Sequence, residues 1–185
     1  MQVKGYRDIF YKSKEEFNFS EFKNVIDVGC GTGALCKVLQ EYNLQVTGLE
    51  PAEAMLEVAK KKTSNIQLVL GDVLDGLPFE EKSFDIAISS YVAHGLDSKE
   101  RLILYREMKR VASQRVVILD YNQQRSLMTD FVEWLEGGDY LNFIMGINKE
   151  LIKEFGNLKV INTGKRSAMY ICEVEWRKDE DGKRK

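Results

Sequence analysis

The chain has 185 residues, of which 44% are hydrophobic and 30% are charged, enough for one globular domain with a core of its own. The formal net charge of −2 offers no basic field to a nucleic-acid backbone, and no apolar stretch reaches the length that spans a membrane. We therefore expect neither nucleic acid nor a membrane as a partner. Three cysteines without a metal-ligand pattern, and a beginning unlike a signal peptide, favour a reduced, cytoplasmic setting with no bound metal.

Residues 1–22 carry aromatic and aliphatic side chains among charged ones, a pattern that predicts one amphipathic helix or two short ones. We expect this segment to form a helical cap on the domain. Two interpretations of its aromatic residues remain open. They cover an edge of the sheet, or Tyr6 or Tyr11 closes over a bound ligand.

Residues 25–39 predict a buried strand, a glycine turn and a helix. Gly29, Gly31 and Gly33 leave room for a ligand beside the backbone, and the start of the helix presents unpaired N–H groups. Their G-x-G-x-G spacing differs from the G-x-G-x-x-G fingerprint of dinucleotide-binding proteins. Asp27 precedes the first glycine by two residues and would repel a pyrophosphate, so the turn suits a ligand that carries a positive charge.

Two further strands are predicted after this turn, over residues 45–49 and 66–70. Glu50 follows the first of them, where an acidic side chain is placed to accept two ribose hydroxyls. Pro51 begins the next helix, in whose first turn its missing N–H costs nothing. Asp72 follows the second strand, and it is either a ligand contact or an acidic turn residue that caps the next turn.

The alternation of strand and helix then continues. A strand over residues 84–89 leads into residues 90–96, at the edge where ligands bind in open α/β sheets. Asp97 is placed to cap a helix that runs to about residue 112, and a strand over residues 115–120 follows. The helix is expected to bury the apolar side chains Leu102, Ile103, Tyr105, Met108 and Val111.

Residues 121–147 interrupt the alternation, and we expect a substrate-side insertion here. It is predicted to contain a short helix, a glycine stop and an aromatic loop, followed by another short helix over residues 148–155. Its aromatic side chains either wall a pocket for a flat acceptor or cover the sheet: Phe131, Trp134, Tyr140 and Phe143. The chain then closes with an antiparallel strand pair over residues 158–162 and 168–174, and with a mixed-charge tail over residues 177–185.

Four segments taken together resemble the class I S-adenosylmethionine-dependent methyltransferases, most closely the small-molecule group that includes ubiquinone and menaquinone biosynthesis enzymes. They read DVGCGTG, LEPAEAMLEVAK, GDV and LPF…SFD, and they lie in register within residues 25–120. The resemblance implies a three-layer Rossmann-like α/β fold, with helices on both faces of a mostly parallel seven-stranded sheet whose last strand is reversed. We expect this fold to form a single domain over residues 1–176.

The same resemblance implies S-adenosyl-L-methionine as the cofactor. Its binding residues are then Asp27, Gly29, Cys30, Gly31, Gly33, Glu50, Pro51, Met55, Asp72, Val73 and Ser89. Ala52 stands where the family usually has a small hydroxyl residue, which puts one peripheral contact in doubt. Met55 at helical spacing is equally explained by packing in the core.

Methyl transfer from a sulfonium is an in-line displacement, so the protein mainly has to align the acceptor with the methyl carbon. A general base is needed only where the acceptor is protonated at the working pH. His94, the only histidine, lies where the substrate should enter and is the first catalytic candidate, although this position often merely shapes the pocket in the family. Tyr91 and the pair Asp120 and Tyr121 are further candidates.

The expected acceptor is a small molecule. The segment SSYVAH stands where methyltransferases of adenine or glutamine amino groups usually carry an N/D-P-P-Y/F run, which argues against that chemistry. Two alternative functions remain. One is an NAD(P)-dependent oxidoreductase, which the glycine spacing and Asp27 disfavour, and the other is a non-catalytic module that binds S-adenosylmethionine. The acceptor atom and the oligomeric state stay open.

Overall fold

The computed structural model describes residues 2–124 and 139–175. The strands of its central sheet are β1 (Asn24–Val28), β2 (Gln45–Glu50), β3 (Gln67–Leu70), β4 (Phe84–Ser90), β5 (Ala112–Tyr121), β6 (Lys159–Asn162) and β7 (Ser167–Glu173). They lie in the order β3-β2-β1-β4-β5-β7-β6. Strands β1 to β5 run parallel, whereas β7 runs antiparallel to its neighbours β5 and β6. This topology confirms the predicted, mostly parallel sheet whose last strand is reversed.

Helices cover both faces of the sheet: α1 (Gln2–Ser13), α2 (Ala34–Gln40), α3 (Glu53–Lys62), α4 (Ser98–Val111) and α5 (Tyr140–Phe155). The first three pack on one face around Phe10, Leu35 and Leu56. The other two pack on the opposite face around Met108 and Ile147. Because both faces are covered, the central strands are buried on both sides. Their almost continuous runs of apolar residues are typical of strands in such a position. The three-layer α/β architecture is therefore the predicted one.

The strand order determines which edge can bind a ligand. β1 lies between β2 and β4, so the chain continues to one side of β1 with β2 and β3 and to the other side with β4. In open α/β sheets such a reversal leaves a crevice outside the carboxyl ends of the strands. The glycine turn after β1 and the loops after β2, β3 and β4 meet at this crevice.

The predicted buried face of α4 is partly wrong. Leu102 is 36% exposed and Ile103 is 40% exposed, because the helix turns a different set of side chains inward. The buried residues are Arg101, Leu104, Tyr105, Met108 and Val111. The charge of Arg101 is tolerated in the interior because Asp139 and Glu150 each pair with its guanidinium at 2.9 Å.

The chain after β5 also differs from the prediction. Tyr140 and Phe143, expected in an aromatic loop, are buried in α5, which begins at Tyr140 rather than at residue 148. Both side chains belong to the core beneath α5, so these two aromatic residues cover the sheet. The predicted helix with Phe131 and Trp134, the glycine stop after it and the tail at residues 177–185 lie outside the described residues.

Candidate functional site

A cavity of about 590 Å³ lies at the carboxyl ends of β1, β2 and β4, within the size range of small-molecule sites. Eight of the eleven predicted cofactor residues line it: Gly29, Cys30, Gly31, Glu50, Pro51, Met55, Asp72 and Val73. Met55 is 49% exposed at the cavity wall, so packing in the core does not explain it. The sheet edge therefore brings most of the predicted residues together, whereas Asp27, Gly33 and Ser89 lie outside the cavity lining.

The glycine turn forms one wall of the cavity. Gly29 has φ +76°, and a Cβ atom there would meet Val92 Cγ2 at 2.5 Å. Gly31 has φ +54°, and a Cβ atom there would meet nothing within 4 Å, so its backbone faces open space in which a ligand can approach closely. Gly33 serves packing instead, because its Cβ would meet the Ala59 side chain of α3 at 3.2 Å.

Glu50 joins the end of β2 to this turn. Its Oε2 accepts a hydrogen bond from Gly31 N at 2.8 Å, and its Oε1 accepts one from Ala52 N at 3.0 Å. A carboxylate has about four acceptor sites, so both oxygens can accept further hydrogen bonds from ribose hydroxyls. Pro51 lines the cavity but precedes α3, for which Ala52 is the N-cap residue. The predicted start of this helix at Pro51 is therefore early by two residues.

Asp27 lies behind the glycine turn and has no exposed surface. Cys36 Sγ donates to its Oδ2 at 3.2 Å, while within the described part of the chain its Oδ1 has no hydrogen-bond partner. Burial raises the pKa of Asp27 to about 7, and the nearby charge of Glu50 adds to the effect. A buried carboxylate oxygen without a partner fits a ligand that brings a positive charge to this turn.

The far wall of the cavity is completed by Asp72, after β3, and by Ser90, at the end of β4. Asp72 Oδ1 accepts from Leu74 N at 2.9 Å, so it caps a short 3₁₀ helix, Val73–Asp75, and also lines the cavity. Ser89 is turned away from the cavity and donates to Val28 O at 2.9 Å. Its neighbour Ser90 lines the cavity instead, because successive side chains of a strand point to opposite faces.

The N-terminal segment, for which the sequence predicts one amphipathic helix or two short ones, forms α1 and a short 3₁₀ helix, Phe19–Glu21. Tyr6 of α1 lines the cavity, and its Oη forms a hydrogen bond of 2.7 Å with Ser90 Oγ. Burial raises the pKa of Tyr6 to about 12, so its hydroxyl stays neutral. Tyr11 is 69% exposed and takes no part in the cavity.

Other lining residues were not among the predicted ones. They are Gln2, Val28, Thr32, Ala34, Leu35, Leu49, Leu74, Ser90, Val92 and Leu96. Most of them are next to a predicted residue in the sequence, so a motif also indicates that the residues beside it line the cavity. Nothing in the sequence predicts that Gln2 lines the cavity, because its position depends on how α1 packs against the sheet.

The catalytic candidates lie beside the cavity, at the ends of β4 and β5. Tyr91 lines the cavity with φ +54°, a conformation that costs energy for a residue with a side chain, and burial raises its pKa. His94 belongs to a short 3₁₀ helix, Ala93–Gly95, and is not part of the cavity lining. Its Nδ1 lies 2.8 Å from Asp120 Oδ1, and its ring centre lies 4.9 Å from that of Tyr121.

Comparison with known proteins agrees with this arrangement. The family described as "Methyltransferase domain" matches residues 26–119, half of the chain. The chain belongs to this methyltransferase family. An uncharacterized methyltransferase of Anoxybacillus flavithermus is 36% identical to it over 99 residues, which cover 52% of this chain and 46% of the relative. The predicted family is thus confirmed.

The chain is also similar to a demethylmenaquinone methyltransferase of Staphylococcus haemolyticus, with 36% identity over 132 residues that cover 66% of this chain and 52% of the relative. The chain thus spans about half the length of these relatives. A solved structure of a SAM dependent methyltransferase from Aquifex aeolicus has a TM-score of 0.69 at 20% identity and covers 89% of each chain. This likeness confirms the fold.

Proposed function

We propose that the protein transfers the methyl group of S-adenosyl-L-methionine to a small-molecule acceptor. The proposal rests on the composition of the cavity. The open glycine turn forms one of its walls and the Glu50 carboxylate stands in the next. The buried carboxylate of Asp27 lies behind the turn. When bound, this cofactor supplies a methyl group already activated by its positive sulfur. The residues of the chain would then hold and orient it.

We assign the binding roles by the chemistry of each wall. The backbone of Gly29–Gly31 would lie against the amino-acid tail, and Asp27 would balance its positive charge. Glu50 would accept the ribose hydroxyls, and Met55 would pack against the ring system. Asp72 would accept from the adenine amino group, as the family resemblance implies, while the Val73 N–H would meet a ring nitrogen.

The relatives support the choice of a small-molecule acceptor. The Staphylococcus haemolyticus relative is named for a quinone precursor, demethylmenaquinone, and the Aquifex aeolicus structure is named as SAM dependent. We propose one domain over residues 1–176 for this activity, in a cytoplasmic setting. The three cysteines Cys30, Cys36 and Cys172 are buried and free, which fits a reducing compartment. Within the described residues no helix is both long and apolar enough to cross a membrane.

Titration calorimetry of the purified protein with S-adenosylmethionine, S-adenosylhomocysteine and NADH tests the proposed cofactor. We expect both adenosyl ligands to bind and NADH not to bind. The variant Glu50→Ala should bind the adenosyl ligands more weakly by about 1–3 kcal/mol, because ribose hydroxyls lose a buried charged acceptor. Binding of NADH alone would favour an oxidoreductase instead.

Formation of S-adenosylhomocysteine separates an enzyme from a module that only binds the cofactor. The protein is incubated with S-adenosylmethionine and a panel of small phenols, carboxylic acids and thiols, and the product is quantified by chromatography. We expect at least one acceptor to give turnover. Tight binding of the cofactor without turnover on any acceptor would favour the binding module.

A further inference from the structure

A second, smaller cavity of about 200 Å³ lies between α1 and the end of β4. Gln2, Gly5, Tyr6 and Ile9 of α1 line it together with Tyr91, which follows β4. Because residues three and four positions apart share a helix face, these four residues lie on one side of α1. Gln2, Tyr6 and Tyr91 also line the larger cavity of about 590 Å³, so the two cavities share a wall.

Gly5 leaves the smaller cavity open. Glycine is a poor helix former, yet Gly5 lies inside α1 with ordinary helical backbone rather than a positive φ. A Cβ atom at this position would meet no atom of the described residues within 4 Å. Neither close packing nor backbone conformation therefore requires a glycine here. The missing side chain provides space in the smaller cavity instead.

The lining of the smaller cavity indicates the size and charge of its ligand. Its five described residues carry no charged side chain, so an ionised ligand would lose its hydration without gaining a partner of opposite charge. Tyrosine rings favour an aromatic ligand, and both rings are held by hydrogen bonds, Tyr6 to Ser90 and Tyr91 to Ser167. A cavity of about 150 Å³ holds one benzene molecule, so the smaller cavity suits one ring with small substituents.

We propose that the methyl acceptor is an uncharged molecule with a single aromatic ring that binds in the smaller cavity, and that Gly5 determines this specificity. The inference rests on the proposed methyl transfer, because the adjoining larger cavity would hold the cofactor. A side chain at position 5 would occupy the space of the acceptor ring. Gly5 lines the smaller cavity and not the larger one, so acceptor binding and cofactor binding can be changed separately.

Gly5→Ala should have opposite effects on stability and on acceptor binding. Alanine favours the helix, so the melting temperature of the ligand-free protein should rise by about 1–4 °C. The probe is catechol, a single ring that is uncharged near neutral pH, added to the protein saturated with S-adenosylhomocysteine. Its Kd should rise about 5-fold or more, because the new methyl group overfills the cavity. A purely structural role of Gly5 would let the stabilised variant bind catechol at least as well as the unaltered protein.

Gly5→Leu fills more of the same space. We expect its Kd for catechol to rise about 10-fold or more, while calorimetry should give an unchanged Kd for S-adenosylhomocysteine. Lys4→Leu is the matched control, because it places the same side chain on an exposed position of α1 outside the lining, and it should bind catechol as the unaltered protein does. Equal affinities of Gly5→Leu and the unaltered protein for catechol would overturn the inference.

Three ring compounds test the acceptor class in titrations of the S-adenosylhomocysteine complex followed by ¹H–¹⁵N spectra. Catechol should shift the amide signal of Gly5. It should also bind about 10-fold or more tightly than 2,3-dihydroxybenzoate, which adds a charge, and 2,3-dihydroxynaphthalene, which adds a ring.

Two kinds of failure are distinguishable in this titration. If the unaltered protein binds S-adenosylhomocysteine but not catechol, or binds either larger compound as tightly as catechol, this inference alone is overturned. If the unaltered protein does not bind S-adenosylhomocysteine, the proposed function is contradicted and this inference with it.

Discussion

Glu50 Oε2 accepts a hydrogen bond of 2.8 Å from the backbone N–H of Gly31, which fastens the tip of β2 to the turn after β1. The side chain of Glu50 is almost fully buried, and its second oxygen accepts from Ala52 N. One carboxylate therefore shapes the glycine turn and also stands in the cavity wall. A residue with both roles should affect stability before any ligand is present.

Replacing Glu50 by Gln tests this structural role. The amide group of Gln keeps one acceptor oxygen but points an N–H₂ group at a backbone N–H donor. We expect the free energy of unfolding to fall by about 1–3 kcal/mol, because a buried donor loses its partner. Urea denaturation of the ligand-free protein measures the change. Glu53→Gln, an exposed site on α3, should leave the midpoint nearly unchanged, and an equal loss in both variants would contradict the argument.

Gly29 and Gly31 should respond differently to the same substitution. Both have positive φ, but a Cβ at Gly29 would clash with Val92 Cγ2 at 2.5 Å, whereas one at Gly31 would meet nothing within 4 Å. Gly31→Ala should cost about 1 kcal/mol from backbone strain alone and should weaken adenosyl binding, since the new methyl group enters the cavity. Gly29→Ala should lose more stability. Thermal melting with and without S-adenosylhomocysteine would show the contrast, and equal losses of stability would refute it.

The parallel strands of the sheet can be predicted from the sequence because each is indicated by residues within its own short segment. Apolar runs predict β1 and β4, and the glycines between β1 and α2 predict the turn that joins them. The sequence around α5 misleads, since Gly146 and the aromatic residues before it are typical of a loop. The helix forms there because Phe143, Ile147 and Leu151 pack on the sheet, a tertiary effect that local propensity does not contain.

The residues of the site can be predicted where they directly follow a strand. Glu50 and Asp72 follow their strands directly and line the cavity. The sequence predicts that β4 ends at Ser89, one residue too early. Ser89 is therefore predicted as a cofactor-binding residue in place of Ser90, although neighbouring strand residues point to opposite faces. The contact between His94 and Asp120 joins residues 26 positions apart, and only the pairing of β4 with β5 brings them together.

Asp27 should make the stability of the ligand-free protein depend on pH. Burial raises its pKa to about 7, above the value of about 4 expected in the unfolded chain. The protonated form is therefore favoured in the folded state, so the stability it contributes is present below about pH 4 and is lost as the pH rises through 7. Between pH 5 and pH 8 we expect this group to lower the free energy of unfolding by about 2–4 kcal/mol.

The variant Asp27→Asn isolates that effect from the other carboxylates of the chain. Its amide oxygen can still accept from Cys36 Sγ, but it carries no charge at any pH. The difference in free energy of unfolding between the Asp27→Asn variant and the unaltered protein, measured in urea at pH 5 and pH 8, should grow in favour of the variant at pH 8. A difference that is constant with pH would mean that the buried carboxyl does not titrate in this range.

Tyr6 should hold α1 over the cavity. Its hydroxyl forms a hydrogen bond of 2.7 Å with Ser90 Oγ, and Tyr6→Phe removes that bond while keeping the ring. We expect a loss of about 0.5–1.5 kcal/mol, seen as faster amide hydrogen exchange in α1 and not in α4, because the bond secures only the N-terminal helix. Tyr11→Phe changes an exposed ring and should leave exchange as it is. If S-adenosylhomocysteine restores protection of α1 in Tyr6→Phe, the ring itself contacts the ligand. Unaltered exchange in Tyr6→Phe would instead mean that packing of Phe10 in the core is sufficient to hold the helix.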